Sequence, residues 1–202
     1  MLRAARGLCL GTWLALAPAL GAETPARSPA EIMDILMWNR EPVGGPFELT
    51  DQTGQLRHDS DFRGKLMLVY FGFTYCPDIC PTDLQAIGLA LDRLGRDAES
   101  VQPLFISVDP ARDTPEHLAD YVKLFHPRLI GLTGSLVEIR KTAIAYRTFF
   151  AKNGASTADD YSVDHTGFIY LIGKDGHFLG FLPPGLASDA IADAIRARLG
   201  AK

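Results

Sequence analysis

Cysteine is scarce: three residues in a chain of 202. A domain of this length can bury enough apolar surface to fold without a disulfide framework. Basic residues are not in excess, with 20 Lys and Arg against 24 Asp and Glu and a formal net charge of −4. An acidic chain without a basic stripe is a poor candidate for gripping nucleic-acid phosphates. Three nucleotide and hydrolase signatures are also missing: the Gly-x-x-x-x-Gly-Lys-Ser/Thr loop, the Gly-x-Gly-x-x-Gly fingerprint and the Gly-x-Ser-x-Gly elbow. The 13 Pro and 19 Gly follow no three-residue period, which excludes a collagen-like chain. What is present is 47% hydrophobic and 22% charged residues, the balance of one ordinary globular domain.

Residues 1–22 are of another kind. Arg3 and Arg6 precede a run, Gly7 to Leu20, that is apolar or small throughout, and no acid occurs before Glu23. Ala17, Ala19, Gly21 and Ala22 supply small residues at its end. This is the layout of a secretory signal peptide, with a short membrane anchor as the alternative. A span needs about 18 or more apolar residues, and Pro18 interrupts this run, so cleavage is the preferred reading. Cys9 would leave with the leader. The remaining chain would carry 18 basic and 24 acidic residues, a net −6. The expected organisation is a leader at 1–22, a short helix and linker at 23–46, and a globular domain at 47–202.

Export changes the meaning of the two remaining cysteines, Cys76 and Cys80. As a staple they would close a loop of five residues, worth about 2 kcal/mol, against about 4–5 for a loop of 85–90. A pair with so little structural value points to chemistry.

The rhythm of the chain is α/β. Ser28-Pro29-Ala30-Glu31 reads as a helix start, with Ile32, Ile35 and Leu36 on one face and Met33 and Met37 as packing residues. A hairpin is expected over Phe47 to Arg57, turning at Asp51 to Gly54. Leu66 to Phe71 is a continuous apolar run, as in a strand buried on both faces. A helix from Pro81 to Leu94 follows, then a second buried strand at Leu104–Val108. Thr114-Pro115-Glu116 starts the next helix. A short strand at Leu129–Leu132 precedes a capping box at Ser135–Glu138 and a helix running to about Phe150. Lys152 to Ser162 reads as a polar loop. Phe168–Ile172 and Phe178–Phe181 flank a turn, and Ile191, Ile195 and Leu199 mark a final helix. The order predicts a thioredoxin-like three-layer α/β sandwich, with a mixed central sheet, flanking helices and an extra N-terminal hairpin.

The Cys pair lies where the first buried strand turns into a helix, a place where α/β folds put their sites. Pro81 disfavours the helical region for Cys80, so Cys80 is expected as the cap, its sulfur at a helix N-terminus that favours thiolate. Asp83 is expected to complement the helix dipole. His58, His117, His126 and His177 stand in polar or turn contexts and read as solvated. His165 directly precedes a buried strand, near the rim of the sheet. With Cys76 and Cys80 it completes a set of soft and borderline ligands that suits Cu(I); structural zinc usually wants four ligands. Asp109 and Asp113 follow the second buried strand, and Asp109 is the expected support of the site from behind.

The sequence resembles the Sco (SenC) family of copper chaperones. The resemblance rests on Phe71-Gly-Phe-Thr74 before Cys76-Pro-Asp-Ile-Cys80-Pro81, on Val108-Asp109-Pro110 with Arg112-Asp113-Thr114-Pro115, on Gly131-Leu-Thr-Gly134 and on Val163-Asp164-His165. It implies a thioredoxin-like fold that binds copper, as Cu(I) and also as Cu(II), through Cys76, Cys80 and His165. It also implies a partner, subunit II of cytochrome c oxidase, whose binuclear copper site is metallated or whose cysteines are reduced. Other periplasmic copper chaperones or thiol reductases, and the inner-membrane surface, are further implied contacts, and the periplasm is the implied compartment. Tyr75 stands where many members carry His. A thiol–disulfide oxidoreductase of thioredoxin type is the alternative. Its weak points are a three-residue spacing between the cysteines and the absence of a Thr-x-x-Cys arrangement, with Pro77 and Phe73 in the Thr positions.

Overall fold

The computed structural model describes residues 43–154 and 161–200. The leader, the helix expected near 28–36 and most of the linker lie outside them. No helix among the described residues is long and apolar enough to cross a membrane.

The chain begins with the expected hairpin, β1 (Glu48–Asp51) and β2 (Leu56–His58). The Asp51 carboxylate makes its turn by accepting the amide N–H groups of Thr53 and Gln55 at 2.8 and 3.1 Å. Such local side-chain bonds are why Asp favours turns. β3 (Leu66–Gly72) is buried at every position. It pairs in parallel with β4 (Val101–Ser107), which pairs in parallel with β5 (Ile130–Thr133). β8 (Ile169–Ile172) lies antiparallel on the other side of β3, and β9 (Phe178–Leu182) closes the sheet beyond it. The order is β2-β1-β5-β4-β3-β8-β9. A second sheet of two strands joins β6 (Phe150–Asn153) to β7 (Ser162–His165).

Alternation along β3 builds the layers. Leu66, Leu68 and Tyr70 point to a core shared with α1 (Ile79–Leu94), α2 (Pro115–Val122) and α4 (Ser188–Leu199). Met67, Val69 and Phe71 point to a second core with Ile139 and Ala143 of α3 (Leu136–Ala145) and Val163 of β7. Each such fully buried side chain contributes about 1.5–3 kcal/mol relative to exposure. The expected mixed-sheet sandwich with its added hairpin is the observed architecture.

Besides shifts of a few residues at strand ends, three features differ from the sequence reading. α1 starts at Ile79 with Asp78 as its N-cap, so Cys80 is the second helical residue and not the cap. Pro81 fits the third position because amides of the first turn have no intrahelical acceptor in any case. α3 stops at Ala145, short of Phe150. Arg147 takes a left-handed φ of 54° and redirects the chain. The stretch expected as a loop therefore supplies the outer residues of the β6–β7 ribbon, with 155–160 outside the described residues.

Candidate metal centre

β3 ends at Gly72, and the absence of a side chain there is required. A Cβ would stand 2.8 Å from the Cys80 sulfur and 2.8 Å from the Phe105 ring. The chain then turns through Phe73 to Asp78. The Cys76 amide donates to the Phe73 carbonyl at 3.2 Å, and the Cys76 sulfur accepts the Cys80 amide N–H at 3.5 Å. Cys80 is fully buried under the first turn of α1, while Cys76 is half-buried, and both are free thiols.

His165 arrives from the end of β7. Its Nε2 lies 3.3 Å from the Cys80 sulfur. Its Nδ1 faces the Thr166 carbonyl at 3.2 Å. To ligate a metal through Nε2 the ring must carry its proton on Nδ1, where it can be donated to that carbonyl; such a bond commonly orients a ligating histidine. Phe73 and Tyr70 hold the ring edge-on, with centroids at 5.8 and 6.5 Å. The three donor atoms of Cys76, Cys80 and His165 lie within 4.8 Å of one another. They form the one such cluster of three or more His, Cys, Asp or Glu among the described residues.

The two thiols titrate as a pair. Cys76 is pulled down to about 3, chiefly by the hydrogen bond from the Cys80 thiol, with His165 and the amides of Asp78 and Cys80 adding to it against burial. Cys80 is pushed up by that same bond and by burial. The pair gives up its first proton readily, leaving Cys76 as thiolate, and holds the second on Cys80. A metal that binds both sulfurs displaces that second proton.

A buried polar network fixes the loop. Asp113 accepts the Thr74 amide at 3.1 Å, the Thr74 hydroxyl at 2.6 Å and the Ser107 hydroxyl at 2.5 Å. Burial pushes its carboxyl upward, against those bonds. His117 reaches the same Thr74 hydroxyl through Nε2 at 2.9 Å and stacks on Tyr75 at 5.5 Å. Asp109 reaches the site through Arg112, which it pairs with, and it accepts the Tyr161 hydroxyl at 2.7 Å. The Arg112 guanidinium lies 4.5 Å from the Tyr75 ring and 3.6 Å from the Tyr161 ring.

The two cysteines and His165, which the sequence groups as one ligand set, meet in the fold. The sequence favours Asp109 as the support, whereas Asp113 makes the direct contacts to the loop. His117, in a context that reads as solvated, touches that loop as well. Asp83, expected to serve the helix dipole, is buried and accepts the Gly185 amide at 2.8 Å. Its position was a signal, because Cys80, Asp83, Leu84 and Ile87 share one face of α1 at helical spacing. His126 is partly buried and accepts the Arg128 amide at 3.1 Å. His58 instead pairs with Glu48 at the surface.

A family profile described as SCO1/SenC matches residues 37–200. The mitochondrial SCO1 homolog of Homo sapiens is 44% identical over 155 residues, which is 76% of this chain and 52% of the human protein. The chain thus matches about half the length of that relative. An SCO2-like protein of Rickettsia prowazekii is 42% identical over 82% of this chain and 80% of its own length. The crystal structure of Arabidopsis thaliana ScoI with copper bound is similar at a TM-score of 0.73 and 40% identity, covering 78% of this chain and 98% of that one. Profile, sequence relatives and fold agree over most of the chain, which belongs to the SCO1/SenC family.

Proposed function

We propose that this protein carries copper, binding one ion through the Cys76 and Cys80 sulfurs and His165 Nε2. The convergence of those three donor atoms within 4.8 Å is the observation that carries the reading. Two thiolates and an imidazole are a soft, electron-rich set that favours Cu(I) and also accepts Cu(II). A closed zinc site would want a fourth protein ligand, and none joins the cluster among the described residues. The copper-bound Arabidopsis relative supports the same choice.

Copper here is cargo. Cys76 is half-exposed, so an incoming thiolate can replace it first, while Cys80 and His165 hold the ion until the second exchange. The family resemblance supports the binuclear copper site of cytochrome c oxidase subunit II as the recipient. The leader-like residues 1–22 support export to the periplasm, with Asp109 steadying the site through Arg112.

The division of labour between the sulfurs favours a second reading, reduction of that recipient's disulfide. The Cys76 thiolate would attack one sulfur of the disulfide and release the other as thiolate. Cys80 would then give up its proton and displace the mixed disulfide, leaving a Cys76–Cys80 bond and two reduced thiols on the partner. Metal analysis of the reduced protein, with Cu(I) and Zn(II) in competition, tests the first reading. One copper per chain is expected, and a preference for zinc or no tight copper would overturn it.

A further inference from the structure

A groove of about 660 Å³ opens beside the β6–β7 ribbon, away from the sulfurs. One wall is β6. The other is the turn from Gly134 into α3, and the loop after β4 closes the end. Its surface is apolar at Val108, Pro110, Leu136 and Phe150, and Leu136 is 45% exposed.

The edge of β6 is set up for pairing. The Thr166 amide donates to the Phe149 carbonyl, and the register runs Phe150 to His165 and Ala151 to Asp164. Main-chain groups alternate in direction along an antiparallel strand. Ala151 therefore addresses β7, while the N–H and C=O of Phe150 and Lys152 point away from it, on the groove side. Such an unpaired edge is a template for an added strand.

Two cations flank this edge. Arg140 lies over the Phe150 ring at 5.9 Å, and the Lys152 ammonium lies 4.0 Å from the Tyr161 ring. Neither is in an ion pair with a carboxylate among the described residues, in a chain whose formal charge is −4. A small anion is poorly served at the nearby start of α3. Ser135 and Glu138 already satisfy each other's amides there in a capping box, and Glu138 adds a negative charge.

We propose that this groove receives an extended, acidic segment of a partner protein. It would add as a strand to the outer edge of β6, with apolar side chains on Leu136 and Phe150 and carboxylates at Arg140 and Lys152. At about 4.8 Å per strand, the segment lies about 10 Å from the main chain of His165. The inference concerns the docking surface and holds whether the cargo is copper or an electron pair.

The test is a titration of the isotopically labelled full chain, followed by its amide resonances, with the blocked peptide Glu-Val-Thr-Val-Glu. The Phe150 and Lys152 amides should shift. Affinity should fall about tenfold in Arg140→Glu/Lys152→Glu, since two attractions become repulsions. The same peptide methylated on alternate amide nitrogens should not bind. Copper uptake by the double variant should be unchanged, which reports that the fold is intact and separates this result from the fate of the metal assignment. Four outcomes overturn the proposal: no shifts at β6, equal binding of a Lys-Val-Thr-Val-Lys peptide, equal binding of the methylated peptide, or the same shifts from inorganic phosphate alone.

Discussion

Gly72 and Cys80 are packed so closely that the strand leaves room for the sulfur only because Gly72 has no side chain, a Cβ there falling 2.8 Å from it. Phe105 blocks the other direction at the same distance, so an added methyl group cannot be absorbed by one neighbour. Gly72→Ala should destabilise the protein by about 1–3 kcal/mol, the usual cost of overpacking a core. Copper affinity should fall with it, because the sulfur must move relative to His165. Thermal unfolding and Cu(I) competition on the same variant check this. Wild-type affinity in a stably folded Gly72→Ala would show that the sulfur position is not critical.

The metal stoichiometry follows from the ligand count. One cluster of Cys76, Cys80 and His165 should bind one copper per chain. Either Cys76→Ala or Cys80→Ala should remove tight binding, since one thiolate and one imidazole leave a soft ion under-coordinated. Oxidation to the Cys76–Cys80 disulfide should do the same, because the thiolates are consumed. Metal analysis after gel filtration reads all three.

The thiol pair predicts a pH profile. Cys76 is shifted downward, so it stays thiolate well below the range where an ordinary cysteine, near 8.5, has protonated. Its alkylation by iodoacetamide should remain nearly level from pH 8 down to pH 5. An unshifted thiol would lose about tenfold per unit there. The bond from Cys80 is the largest cause of the shift, so in Cys80→Ala the rate at pH 6 should drop while the rate at pH 9 holds. A profile unchanged by that substitution would place the cause elsewhere.

Asp113 predicts the behaviour of the loop. Its carboxylate takes three hydrogen bonds from Thr74 and Ser107. Asparagine keeps the shape but offers one acceptor oxygen and turns an N–H₂ toward those donors. Asp113→Asn should cost about 1–3 kcal/mol, the penalty of leaving a buried polar group badly matched. Copper should restore part of the lost melting temperature by tying the loop to His165. Asp109→Asn should act less directly, since that carboxylate meets the site through Arg112.

Much of this fold was legible because its signals are local. β3 announces itself as an unbroken apolar run, and α2 starts on Thr114 and Pro115 as its cap and first residue. The Ser135–Glu138 box opens α3. The cysteines and His165 were legible because soft ligands are rare in the chain. The β6–β7 ribbon was not, because Phe150–Asn153 and Ser162–His165 are short, partly exposed and polar, without the apolar alternation that marks a strand. Nor was the end of α3, where Arg147 takes a left-handed conformation without the glycine that usually marks one. Helical spacing puts Asp83 on the buried face of α1, but its partner Gly185, like Thr74 for Asp113, is one that no spacing along the chain encodes.

The last prediction joins metal to stability. Cys80 and His165 lie on α1 and β7, and the hydrogen bond between them is the direct tie between their side chains. A shared ion replaces that contact with covalent-like bonds to both elements and to Cys76. An ion that binds only the folded chain stabilises it by mass action, about 2.7 kcal/mol at a free concentration 100 times the dissociation constant. For a domain of this size the melting temperature should rise by roughly 5–10 °C. The Cys76–Cys80 disulfide closes a short loop and never reaches β7, so oxidation should raise the melting temperature less, its stabilisation being about 2 kcal/mol at most. His165→Ala should lose much of the copper increment, because the two sulfurs then hold the ion within α1 and its preceding loop, without the long-range tie. Calorimetry of reduced, oxidised and copper-loaded protein, wild type and His165→Ala, separates these terms. An equal copper shift in both proteins would mean that the imidazole only packs beside the sulfurs and does not bind the metal.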